Sequence, residues 1–166
     1  DSYAYAVADV IIVDINLDVE KQADDAGELC HYDVDLAGFR AAMGAIGEHC
    51  KEDALILVET TVPPGTCEKV VQPIIQEVLA RRGLRTDRFK LGHSYERVMP
   101  GPAYIDSILN FPRVYAGVDE ASADATEAFL KTIIDTEQCP LTRLTRTNAT
   151  EMAKVLENAY RAANIA

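Results

Sequence analysis

The sequence predicts an α/β fold, a parallel sheet with helices on both faces. Short apolar runs recur along the chain, each bounded by turn residues, as buried strands require. Between them lie segments whose apolar residues return at helical spacing. The two kinds of segment alternate, which is the order of a sheet built from right-handed crossovers.

Residues 1–7 are too few to assign and read as the tail of a helix. Residues 8–15 form a near-continuous apolar run, the mark of a strand covered on both faces. Asp18, Glu20, Asp24, Asp25, Glu28 and Asp33 crowd residues 16–33, which read as an exposed, mobile loop. Asp35 is placed to cap a helix whose Leu36, Phe39, Met43 and Ile46 share one stripe. Leu55-Ile-Leu-Val58 is the clearest strand. It ends in Glu59-Thr60-Thr61, and Pro63-Pro64-Gly65 then turns the chain. Val70, Val71, Ile74, Ile75, Val78 and Leu79 recur at helical spacing until Gly83. Pro73 inside that run predicts a kink or a late start. Residues 89–95 are a strand weakened by Gly92, and residues 96–102 a constrained loop. Residues 113–117 are a further strand. Residues 123–135 are a helix capped near Ser122. Residues 139–145 are a strand that Pro140 assigns to an edge or a strand start. The last helix starts near Ala149, with Asn148 as N-cap and Glu151 completing a capping box.

Bulk properties bound the function. Apolar content of 48% and charged content of 26% over 166 residues suit one soluble globular domain. No apolar run approaches the ~18 residues of a membrane helix, so no membrane partner is expected. Net charge is −11, and residues 1–59 hold 14 acids against 3 bases, which accounts for all of it. Such a face repels phosphate backbones and argues against nucleic acid. Cys30, Cys50, Cys67 and Cys139 are scattered, with no Cys-x-x-Cys and no suitably spaced histidine. That excludes a metal site and points to a reducing compartment, the cytoplasm.

Three stretches carry a resemblance. Glu59-Thr-Thr-Val-Pro-Pro-Gly-Thr66 resembles the Ser-Thr-Val-Pro-x-Gly-Thr segment of the UDP-glucose/GDP-mannose dehydrogenases, the NAD-dependent nucleotide-sugar 6-dehydrogenases. Ser94-Tyr-Glu-Arg-Val-Met-Pro-Gly101 looks like their Ser-Pro-Glu-Arg-x-x-Pro-Gly. The helix beginning Glu151-Met-Ala-Lys154 looks like their Glu-x-x-Lys-x-x-Glu-Asn-x-x-Arg helix. The motifs stand in the family's order, and the similarity runs from about Ala8 to Ala166. It implies a partial Rossmann-like domain over residues 1–146 and the start of a central helical domain at 147–166. It implies NAD as cofactor, a UDP-sugar as substrate and a homodimeric full-length protein in polysaccharide synthesis. The chain begins at Asp1 without methionine and ends at Ala166 within a helical pattern, so an internal fragment is expected. The glycine-rich turn would then precede it, and the nucleophilic cysteine would follow.

The resemblance also implies roles. Lys154 and Asn158 match the catalytic lysine and asparagine, whose proposed task is to stabilise an oxyanion forming at the sugar C6. Thr61 matches the threonine that positions a water. Glu96 matches the glutamate implicated as general base in thioester hydrolysis. Val13, Asp14, Glu59 and Thr60 are the implied cofactor contacts; Arg97 and Arg161 are the implied substrate contacts. Taken bottom-up, Lys154, Asn158, Glu151 and Arg161 fall within about one quadrant of the last helix. Met152, Val155, Ala159 and Ala163 cluster on an apolar side. Pattern alone favours a solvated face with a Glu151–Lys154 ion pair; the resemblance turns the stripe into a site wall. Pro100 stands where some members carry a second glutamate, which is closer to the UDP-N-acetylhexosamine branch. Tyr95 replaces a proline, and Ile15-Asn-Leu-Asp18 replaces Val-Pro-Thr-Pro. His93 and Cys67 read as structural. Two other classes remain open: a receiver-like signalling domain with Asp14 as phospho-acceptor, and a non-catalytic nucleotide-binding or dimerisation domain.

Overall fold

The computed structural model describes residues 2–17, 19–23, 29–96 and 101–166. In chain order the elements are α1 (Ser2–Val7), β1 (Val10–Val13), β2 (Val19–Ala23), β3 (Leu29–Val34), α2 (Ala37–His49) and β4 (Leu55–Val58). A π-helical turn (Cys67–Val71) then runs into α3 (Gln72–Arg81). There follow β5 (Lys90–His93), α4 (Tyr104–Leu109), β6 (Arg113–Gly117), α5 (Glu120–Leu130), β7 (Leu141–Arg143) and α6 (Thr147–Ile165).

The strand with the purest apolar run anchors the core. β4 is buried along its whole length, and its side chains alternate between two layers, as a period of two dictates. Ile56 and Val58 pack with Phe39, Met43, Ile46, Ile75 and Leu79. Leu55 and Leu57 face the other way, onto Tyr115, Leu130 and Ile134. Helices therefore cover both faces, and the sheet order is β1-β4-β5-β6-β7.

The α/β class holds, but the sheet is mixed rather than wholly parallel. β1, β4 and β5 are mutually parallel, whereas β6 runs antiparallel to β5 with His93 opposite Ala116. β7 is parallel to β6 at the edge, where Pro140 had placed it. The reason lies between β5 and β6. α4 spans six residues and leaves Tyr104 and Ile105 exposed, so the chain turns back instead of crossing over the sheet.

Two glycines are fixed by close approach. A Cβ on Gly92 would sit 2.0 Å from the Thr126 hydroxyl oxygen, and one on Gly117 would sit 2.2 Å from the Ala123 amide nitrogen. Gly92 is thus where α5 meets β5, not a weakness of the strand.

Other sequence expectations change. The acidic stretch expected as a loop contains the antiparallel pair β2 and β3, with Val19 opposite Val34; its charge concealed the strand pattern. α5 is capped by Asp119, whose carboxylate accepts the Ser122 amide at 2.7 Å, so it starts three residues before the expected Ala123. Asp35 stands one position before the N-cap, Leu36, rather than at it, and accepts the Ala37 amide at 2.7 Å. Pro73 falls in the first turn of α3, the late start of its two alternatives. There the π-helical turn gives way to regular helix, and proline's missing N–H falls at that junction. α6 begins at Thr147, with no side-chain cap from Arg146. Asn148 and Glu151 form no capping box, because Glu151 is engaged elsewhere.

Candidate functional site

β1 and β4 end side by side, and their carboxyl ends carry the polar residues. The Val13 carbonyl accepts the amides of Glu59 at 3.0 Å and Thr60 at 3.3 Å. The Val13 side chain lies in the core, so only its backbone is turned to the strand ends. The Thr60 hydroxyl donates to the Ile15 carbonyl at 2.7 Å, tying the two strand ends together. Beyond them opens a cleft of about 390 Å3 lined by Asp14, Asn16, Leu17, Thr60, Thr61 and Glu96. This is the crevice at which open α/β sheets take ligands. Clefts of about 450 and 460 Å3 lie elsewhere and contain none of the candidate residues.

Lys154 reaches this region from α6. Its ammonium donates to the Glu96 carbonyl at 3.0 Å and lies 5.1 Å from the centre of the Tyr95 ring. Tyr95, the departure from the family's proline, thus supplies a π-face to the lysine. Glu96, Thr61, Thr60, Asp14 and Lys154 are brought together. Asn158 and Arg161 share the Lys154 side of α6 but stand exposed, in the part of the helix past its last buried residue. Arg97 lies outside the described residues.

Two groups were missed by sequence reasoning. Arg113 is 4% exposed and donates to Glu59 at 2.9 Å. The reversal of β6 brings its first residue to the same edge as the ends of β4 and β5, which the parallel reading could not foresee. Burial pushes the Glu59 carboxyl up against the pull of Arg113, with Asp14 and Glu96 adding repulsion. Glu59 is thus held in an ion pair with Arg113 beside the cleft.

Glu151 is the second. It is fully buried and accepts the amides of Gly65 and, at 2.8 Å, Cys67. The expected Glu151–Lys154 ion pair is replaced by these bonds. The signals were its place in the polar quadrant of the helix and in the family motif one turn before the lysine.

Behind the cleft, His93 is buried beside Thr150. The Thr150 hydroxyl lies 2.8 Å from the Thr147 carbonyl and 2.7 Å from His93 Nδ1. Burial lowers the His93 pKa to about 4, and the Lys154 charge acts in the same direction. A neutral ring held in this way is structural. Cys67 is buried, and burial with the adjacent Glu151 raises its thiol pKa well above the ordinary value; it is a poor nucleophile. Among the described residues no group of three or more His, Cys, Asp or Glu is placed to hold a metal ion.

Residues 2–134 match the family model for the NAD-binding domain of the UDP-glucose/GDP-mannose dehydrogenase family. The chain belongs to that family. It is 34% identical to the UDP-N-acetyl-D-mannosamine dehydrogenase of Pyrococcus horikoshii over 81% of this chain and 30% of that protein. To the enzyme of the same name from Methanocaldococcus jannaschii it is 30% identical, over 80% of this chain and 28% of that one. The solved structure of the UDP-D-ManNAc dehydrogenase from Pyrococcus horikoshii superposes with a TM-score of 0.78 at 26% identity, over 99% of this chain and 35% of that one. The chain thus spans about a third of the length of such family members, and the matched part is their NAD-binding domain. NAD is the cofactor of the family's domain, as the motifs implied. No helix among the described residues is long and apolar enough to cross a membrane.

Proposed function

We propose that the whole protein carrying this chain is an NAD-dependent nucleotide-sugar 6-dehydrogenase acting on a UDP-N-acetylhexosamine. The observation that carries the reading is the meeting of Thr61, Glu96 and Lys154 at the carboxyl edge of the sheet. The names of the similar proteins and the Pro100-Gly101 form of the second motif support the N-acetylhexosamine class. Asp14, exposed at the end of β1, and Thr60 beside it are suited to the cofactor side of the cleft. NAD+ supplies the hydride acceptor when bound.

The chain's own residues have separable tasks in this reading. Lys154, aligned by the Glu96 carbonyl and the Tyr95 ring, places a positive charge where an oxyanion develops at C6. Thr61 holds a water, and the Glu96 carboxylate takes its proton when a thioester is hydrolysed. Asn158, one helical turn beyond Lys154 on α6, shares the oxyanion with it, and Arg97 and Arg161 contact the substrate. The product uronate serves polysaccharide synthesis in the cytoplasm, and the whole protein is a homodimer.

The test is stoichiometry. The whole protein, supplied with UDP-N-acetylhexosamines and UDP-glucose in turn, is expected to form two NADH per sugar with the first class. One NADH per sugar, or UDP-glucose as the better substrate, would refute the reading.

A further inference from the structure

α6 is seated almost without apolar contact. Its buried residues are Thr147, Thr150, Glu151 and Lys154, while Met152, Leu156, Tyr160 and Ile165 stay exposed. The seating therefore relies on directional bonds: His93 to Thr150, Gly65 and Cys67 to Glu151, and Lys154 to the Glu96 carbonyl. Hydrophobic burial tolerates sliding, because it is non-directional; hydrogen bonds do not.

Glu151 is the strongest of these ties. A fully buried carboxylate is costly unless its oxygens are satisfied. Here both oxygens accept backbone amides at the start of the helix after β4, where unpaired N–H groups and the helix dipole favour an anion. A local side chain is the usual donor of such a cap. Thr66 occupies that place and makes no cap bond; its hydroxyl turns back to the Pro63 carbonyl at 2.6 Å. The cap comes instead from a residue 86 positions beyond Gly65 and 84 beyond Cys67. A local cap would stabilise the helix equally well. What only a distant one supplies is a fixed distance between the Thr60–Thr66 turn and α6. Gly65, held at φ 93°, aims its amide at the carboxylate. Thr61 lies four residues before it in the turn, and Lys154 one helical turn after Glu151, about 4.5 Å along the axis.

We propose that Glu151 is a positioning residue: its carboxylate registers Lys154 on α6 against Thr61 on the turn after β4. This deepens the dehydrogenase reading and takes its kinetic consequence from it. In the whole protein, Glu151→Gln keeps the size but replaces one acceptor with a donor facing an amide. It is expected to lower kcat by about 10–100-fold, the effect of displacing a catalytic group by about 1 Å. KM for NAD+ should stay within about twofold. Glu151→Asp, which keeps the charge, should recover part of the loss. A lower thermal midpoint with unchanged kcat would mean that Glu151 is only a helix cap and would overturn the proposal.

A spectroscopic measurement on the 166-residue chain is independent of turnover, so it separates this proposal from the dehydrogenase reading. The Gly65 and Cys67 amide protons are expected downfield and protected from exchange in the unaltered chain. In Glu151→Gln they should move together with the Lys154 ammonium signal. Ordinary, unprotected Gly65 and Cys67 amides would overturn the proposal even if the variant failed to fold. So would a Lys154 signal that stays in place while those amides shift.

Discussion

At the scale of single residues, carboxylates of different standing gather at the sheet's carboxyl edge. Glu59 is held by Arg113 and is mostly buried; Asp14 and Glu96 line the cleft, and Glu96 offers its carbonyl to Lys154. Lys154 makes the sharper prediction. If it stabilises an oxyanion, Lys154→Ala in the whole protein lowers kcat by about 10²–10³, the size of losing one such donor, and changes KM little. A KM that rises with kcat unchanged would reduce Lys154 to substrate binding. His93 makes a prediction about pH. Its folded pKa, about 4, lies below the ordinary 6.5, so between those values the unfolded chain binds the extra proton. The sign follows: stability conferred by the neutral ring is complete above pH 6.5 and is lost as pH falls towards 4. At 1.36 kcal/mol per unit the loss is about 3 kcal/mol. Denaturant midpoints compared at pH 7 and pH 4.5 should fall steeply in the native chain and less in His93→Asn; parallel slopes would show that His93 is not the group responsible.

Helices and strands were legible where a single period dominated. β4 and β6 fall on the residues their apolar runs marked, and Phe39, Met43 and Ile46 face the core as their stripe predicted. What failed was long-range. Nothing in Arg113-Val-Tyr-Ala-Gly117 tells a strand its direction, because burial on both faces looks the same either way. Glu151 matched a local capping box, and local pattern cannot report that its carboxylate is claimed by amides over eighty residues away. Gly92 looked like a flaw because the sequence does not show what approaches it. These close approaches predict different penalties. The nearest obstacle to a Cβ on Gly92 is a side chain, Thr126, whereas at Gly117 it is the backbone of Ser122 and Ala123. Gly92→Ala should destabilise by about 1–3 kcal/mol, the range for overpacking, and combining it with Thr126→Ala should cost less than the sum of the two. Gly117→Ala should cost more, since backbone cannot rotate away. Thermal denaturation of the four variants, Thr126→Ala alone included, decides it; equal losses at the two glycines would contradict this account of the close approaches.

For the whole molecule, the motifs in order were enough to reach the family, and the cleft brings Asp14, Thr60, Thr61 and Glu96 together, with Lys154 bonded to the Glu96 carbonyl. In the proposed reading the oxidation of an alcohol to a carboxylate passes through a sulfur-bound intermediate, and covalent catalysis of that kind needs an accessible, readily ionised thiol. Cys50, Cys67 and Cys139 are free thiols but buried. Burial and Glu151 hold the Cys67 thiol protonated, and burial raises the Cys50 thiol as well. None of them lines the cleft of Thr61 and Glu96. The 166-residue chain alone is therefore expected not to turn over UDP-sugars, even where Lys154 and Thr61 are correctly placed. Iodoacetamide at neutral pH should leave Cys50, Cys67 and Cys139 unlabelled until denaturant is added, as mass spectrometry of the digested chain would show. Incubation with NAD+ and a panel of UDP-hexoses and UDP-N-acetylhexosamines should give no sustained rise in NADH absorbance. Turnover abolished by Cys67→Ala alone would place the nucleophile in the turn after β4. Turnover abolished by Cys30→Ala alone would place it on β3, and either result would overturn the expectation that none of these four thiols is the nucleophile.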